Sequence, residues 1–234
     1  MIGPILLAVS WILLRLEGKG IASLGLNEPR RRAGEFFLGF VVVGLASGLQ
    51  QLGLAEAAAD PFVRNPAADL DGLLAGARFT VNSVLYEELL FRGYLLYQAI
   101  RWLGATRAVL LSSTAFGIYH WFSYGVLGSP VVMVYVFVLT GAYGFMWARA
   151  FVATRSVLAP IGMHLGWNAI AYLVFSAGPL AGGLFVPRSG VLPIVVGGWA
   201  SLALNVMLPA VLTVGVVSYC RRLEARHRAA APSS

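Results

Sequence analysis

The sequence predicts an all-α fold: a polytopic bundle of about seven membrane-spanning helices. Three observations predict it. Apolar residues make up 59% of the 234-residue chain and charged residues 12%, against roughly 45–50% and about 25% in soluble domains. The mean hydropathy is +0.78. The apolar residues fall in long runs, of the kind a spanning helix of about 20 residues needs, and short basic clusters separate them. We therefore read residues 1–234 as a single integral membrane domain.

The predicted spans are 2–16, 35–54, 73–100, 107–123, 130–148, 156–176 and 192–219. The first is short. The third holds three charges in the stretch YEELLFRGY, the fourth ends on AFGIYHWF, and the sixth carries GMHLGWNAI. The last is long and contains Gly197, Gly198 and Pro209, which predicts a tilt or kink. The polar tail RRLEARHRAAAPSS is expected to be frayed. No internal repeat is visible. No basic n-region or Ala-x-Ala site marks a removable signal peptide.

The net charge of +7 comes from clusters between apolar runs, which are topology signals and not a nucleic-acid footprint. The expected partner is membrane lipid, with no nucleic acid. With the loop between the first two spans placed inside, thirteen of the seventeen basic residues fall on the cytoplasmic side, Arg64 and Arg188 fall outside, and Arg78 and Arg92 lie within the third span. Glu56, Asp60, Asp69 and Asp71 collect in one outer loop. The C-terminus is thus expected to be cytoplasmic. Sixteen of the seventeen basic residues are arginine, the usage of a GC-rich genome, and a bacterial plasma membrane is the expected location. Cys220 is alone, which excludes an internal disulfide and a cysteine-based metal site.

A charge at mid-bilayer costs about 2.5–3.5 kcal/mol on insertion scales, so Glu87, Glu88 and Arg92 need a reason to be there. Glu88 and Arg92 stand at i, i+4 and can pair on one helical face. Glu87 is turned about 100° away and has no partner nearby in sequence. Two of the three histidines, His120 and His164, also lie in apolar runs, and His164 shares a face with Asn168 at i, i+4. Glu87 is 14 residues from Arg101, His120 is 13 from Arg107 and Asn168 is 13 from Arg155. At 1.5 Å per residue these distances are about 20 Å each, which places carboxylate, imidazoles and carboxamide at one depth.

These groups suit water attack on an amide. Burial raises a carboxylate's pKa and lets it act as a general base near neutral pH. A neutral histidine can position the water, and a second histidine with an asparagine amide can donate to the developing oxyanion. No H-E-x-x-H helix, G-x-S-x-G elbow or P-loop is present, and the three aspartates lie outside the spans, which excludes an aspartyl dyad. A structural ion cluster that only locks helices together is the alternative use of the same residues.

The motifs EELLFR (Glu87 to Arg92), FGIYH (Phe116 to His120) and HLGWN (His164 to Asn168) resemble the E-E-x-x-x-R, F-x-x-x-H and H-x-x-x-N pattern of the CAAX protease and bacteriocin-processing (CPBP, or Abi) family of intramembrane endopeptidases. The flanking SSTAFGIYH and TGAYGFMWARAFVATRSVLAPIGMH are in the style of that family too. The resemblance covers residues 80–175, the expected catalytic core. It implies Glu87 as the base that activates water, His120 beside it, His164 and Asn168 holding the oxyanion, and Glu88 and Arg92 supporting them. It implies a peptide or protein substrate at the membrane. No cofactor is expected to be required. Zinc on Glu87, His120 and His164 is the alternative, although Asn168 is a poor zinc ligand and a natural oxyanion donor. Two functions follow: a CAAX-protease-like intramembrane endopeptidase, or a non-enzymatic membrane protein such as an immunity factor, scaffold or transporter.

Overall fold

The computed structural model describes residues 2–180 and 182–229. Helix α1 (Ile2–Leu16) leads through one 3-10 turn into α2 (Pro29–Ala57). Helix α3 (Leu70–Arg92) starts at Asp69, whose side chain accepts from the Gly72 amide, as an N-cap should. Then follow α4 (Tyr94–Leu103), α5 (Ala105–Ser123), α6 (Pro130–Thr154) and α7 (Leu158–Ala169), which runs on into a π turn, Ile170–Val174. The chain closes with α8 (Gly198–Leu202), a second π turn (Ala203–Met207) and α9 (Leu208–Ala229). Prolines open α2 and α6, at the position where their missing N–H costs nothing.

The all-α expectation is borne out. Three stretches, Ile21–Ala57 (the 3-10 turn with α2), Pro130–Thr154 and Gly198–Arg226, are long and apolar enough to cross a membrane by length and composition. On α2, Phe37, Leu38, Val41, Leu45, Leu49 and Leu52 turn outward and are all more than half exposed, as side chains that meet lipid would be.

Two expected spans differ in detail. The stretch 73–100 is two helices, because Gly93 takes φ −78° and ψ −135° and leaves the helical path. A Cβ there would stand 2.2 Å from the Leu89 carbonyl oxygen, so only glycine allows the break. Helix α4, with ten residues, is too short to cross, and counting depth from Arg101 along one straight helix does not hold. The kink expected at Pro209 is taken up by the π turn just before it, which absorbs the hydrogen bond that proline cannot make. The tail is helical to Ala229, anchored by an Arg149–Glu224 ion pair. The rest of the expected frayed tail, residues 230–234, lies outside the described residues.

Helix α7 is held on α2 by glycine. The stretch GMHLG places Gly162 and Gly166 one turn apart, and a Cβ on either would stand 2.2 Å from a carbonyl oxygen of α2, Phe36 and Phe40 respectively. This is the small-xxx-small packing of membrane helices, in which backbones touch directly. His164, two residues from each glycine, faces the opposite side. At one end of the bundle a two-stranded antiparallel bridge pairs β1 (Phe62–Arg64) with β2 (Phe185–Pro187), Val63 facing Val186. Asn65 reinforces it by donating to the Gly183 carbonyl at 2.9 Å.

Candidate active site

The last two turns of α3 carry the charges. Glu88 and Arg92 are fully buried, and Glu87 is 8% exposed. Arg92 Nη1 donates to Glu88 Oε1 at 3.2 Å, and Nη2 donates to the Gly144 carbonyl at 3.0 Å. The guanidinium lies over the Phe116 ring at 4.2 Å, a desolvated cation–π contact. Phe116 is therefore the aromatic floor for this cation. Arg92 also sits in the final turn of α3, where helix carbonyls favour a cation.

Glu88 does more than pair with Arg92. Its Oε1 accepts from His164 Nδ1 at 2.9 Å. An ionised carboxylate only accepts, so this bond puts a proton on Nδ1 and turns Nε2 to the site. His120 is set in the same way: its Nδ1 bonds the Phe116 carbonyl, one turn back on α5, at 2.8 Å. Both free nitrogens then meet Glu87. His120 Nε2 and His164 Nε2 each lie 3.9 Å from Glu87 Oε2, and that oxygen is buried without a hydrogen-bond partner among the described residues. The His164 ring is braced by Trp147, stacked at 4.0 Å and 15°.

Glu87, His120, His164 and Asn168 all line one cavity of about 510 Å³. The structure thus brings together the six residues named from the motifs, on α3, α5 and α7, with α6 closing the wall. Asn168 is one turn beyond His164 on the same face of α7, 9% exposed. Of the aromatics near His120, Tyr124 lines the cavity, Trp121 Nε1 donates to the Met133 carbonyl, and Phe122 is 64% exposed.

Two further cavity residues were not singled out from sequence. Tyr143 Oη and Trp147 Nε1, one turn apart on α6, are buried without a hydrogen-bond partner among the described residues. Each orphaned donor costs about 1–3 kcal/mol, so each asks for an explanation. The signal available in sequence was two hydrogen-bonding aromatics at i, i+4 in an otherwise apolar run.

A tetrahedral zinc with bonds of about 2.0–2.1 Å holds its ligand atoms about 3.4 Å apart. The nitrogens stand 3.9 Å from Glu87 Oε2, and among the described residues no group of three or more histidine, cysteine or acidic side chains is arranged to hold a metal.

Residues 69–170, from the Asp69 cap to the first residue after α7, match the family model of the Rce1-like type II CAAX prenyl endopeptidases. No curated protein and no solved structure matches the chain. The match takes in all three motifs and bears out the resemblance read from them. It supports a CAAX-protease-like intramembrane endopeptidase, an integral membrane protein whose substrate is a membrane-associated peptide.

Proposed function

We propose that this Rce1-like chain hydrolyses a peptide bond with water activated by Glu87, and that no metal is required. The observation that carries the reading is the Glu87 carboxylate: buried, with one oxygen unpartnered, and 3.9 Å from two imidazole nitrogens whose opposite nitrogens are both tied down. Glu87 and His120 both line the cavity, from which the attacking water would come.

In this mechanism Glu87 takes a proton from the water as its oxygen attacks the scissile carbonyl carbon. His120 Nε2 accepts the water's second hydrogen bond and aligns it. The carbonyl oxygen gains negative charge, met by the Asn168 amide and by His164. His164 donates from Nε2 in the doubly protonated form, with Glu88 accepting from the other nitrogen. The intermediate then expels the amine, which receives the proton from Glu87. The basic loops and the C-terminus are on the cytoplasmic side of a bacterial plasma membrane in this reading.

The test is cleavage of a fluorescent prenylated CAAX peptide by the purified chain in detergent. Glu87→Gln, His120→Ala and His164→Ala should each lower kcat by about 10²–10⁴-fold, and chelator should change nothing. Wild-type turnover by Glu87→Gln would overturn the mechanism and favour a cluster that only locks helices together. Activity lost to chelator and restored by zinc would overturn the metal-free part.

A further inference from the structure

The cavity has a mouth and a floor, and burial tells them apart. Of its described lining residues, Phe79, Ser123, Tyr124, Tyr135 and Pro179 are exposed. Phe79 lies in the first half of α3, Ser123 ends α5, Tyr124 caps it, Tyr135 lies in the second turn of α6 and Pro179 follows the π turn after α7. They share the half of the bundle that carries the β bridge. Basic residues mark the other end: Arg30 in the first turn of α2, Arg107 in the first turn of α5, Arg155 at the C-cap of α6 and Arg221 in the second half of α9. Packed side chains close that end. Leu24, Leu96, Val109, Phe151 and Val157 belong to one core there, none more than 3% exposed, and Glu88 and Arg92 beside it are fully buried. The open path to Glu87 therefore runs from the bridge end.

We propose that substrate enters from the face opposite the basic loops, the outer face of the membrane, and is an extended segment of a membrane-associated protein exposed outside the cytoplasm. This rests on the protease reading and on the cytoplasmic placement of the basic loops. Tyr135 at the mouth and Trp147, which stacks on His164, both line the cavity and stand 12 residues apart on α6, about 18 Å along the helix. An extended chain covers that depth with about five or six residues at roughly 3.3 Å each. A cavity of about 510 Å³ admits such a chain but not a folded domain, whose radius of gyration is about 13 Å for 100 residues. The bond to be cut must therefore lie at least that many residues from any folded part of the substrate.

Thiol labelling tests the route. Cys220 is the only cysteine and is 2% exposed, so single introduced thiols can be read in Cys220→Ser, or against the wild-type background if that chain does not fold. Ser83→Cys puts a thiol in the cavity wall, one turn from Glu87. Ala225→Cys puts an exposed one at the basic end of α9. A charged, membrane-impermeant methanethiosulfonate is applied to spheroplasts, which present the outer face, and to sealed inside-out vesicles. Ser83→Cys should be labelled in spheroplasts and not in inside-out vesicles, and Ala225→Cys the reverse. Both thiols labelled from one face, or Ser83→Cys from neither, overturns the route. Labels exchanged between the two faces overturn the cytoplasmic placement, and with it the outer-face substrate. Cleavage of a prenylated CAAX peptide by the purified chain is scored separately. Cleavage alongside labelling from the wrong face leaves the protease reading standing; outer-face labelling of a chain that never cuts overturns that reading instead. Moving the cut bond to about two residues from a folded tag, short of the cavity's depth, should abolish cleavage, and undiminished cleavage overturns the need for an extended segment.

Discussion

Replacing Gly162 by alanine should disable the site without touching any residue in it. The added Cβ would stand 2.2 Å from the Phe36 carbonyl oxygen, and ordinary contact begins at 3.4 Å. Backbone lies on backbone here, so neither side can rotate away, and α7 must retreat from α2 by about 1.2 Å, the shortfall between those two distances. His164 rides on the opposite face of α7, already 2.9 Å from Glu88 and stacked at 4.0 Å on Trp147. It has no room to follow, so the ring tilts or the pairing with Glu88 breaks. Misplacement of a catalytic group by about 1 Å costs about 10²-fold. The assay is kcat for a fluorescent prenylated CAAX peptide, with folded fraction checked by size exclusion and melting. The control is Gly34→Ala, where an added Cβ meets nothing within 4 Å. A Gly162→Ala chain that turns over within about threefold of wild type at unchanged Tm would refute the argument that glycine sets the position of His164.

Two further outcomes follow from charge. Glu88→Ala strands a fully buried Arg92 and leaves His164 Nδ1 without its acceptor; breaking a buried pair in this way costs about 3–5 kcal/mol, a fall of about 6–20 °C in Tm for a chain of this size, read by thermal melting. Glu17, in the turn after α1, is held down to about 2 from its ordinary 4.5, first by its bond from Lys19 and then by Tyr94. A depressed carboxylate stabilises the fold above its ordinary value and loses that contribution as pH falls towards about 2. Glu17→Gln should therefore flatten the fall of Tm between pH 5 and pH 2, and identical slopes would remove Glu17 from the account.

Much of the architecture was legible because run length alone decides whether a segment can cross a membrane. The break at Gly93 was not, since a glycine inside an apolar run looks like any other until the Leu89 carbonyl is placed beside it. The β bridge was not, because FVR and FVP are three residues each, too short to alternate. In the site, the Glu88–Arg92 pair followed from i, i+4 spacing and is formed. The bond from His164 to Glu88 joins residues 76 positions apart, and no local spacing encodes it. It alters the reading of Glu88, which orients the His164 ring as well as balancing an arginine. Tyr143 and Trp147 escaped notice because aromatics in an apolar run are ordinarily packing, and only their orphaned donors set them apart.

The β bridge bears on the chemistry from a distance. One strand is joined through Asn65 and Asp69 to the head of α3, which carries Glu87 and Glu88; the other lies ten residues beyond the π turn that ends α7, which carries His164. Ser176 fastens the intervening loop to Phe185 at 2.8 Å, and Phe62 packs on Phe175 at 4.6 Å. Sliding α3 past α7 by one helical turn, about 5.4 Å, would shear the strand pairing and the Phe62–Phe175 contact. The bridge is thus an end-stop on axial travel, keyed by main-chain pairing and by the Phe62–Phe175 contact, and it keeps acid and imidazole level with each other.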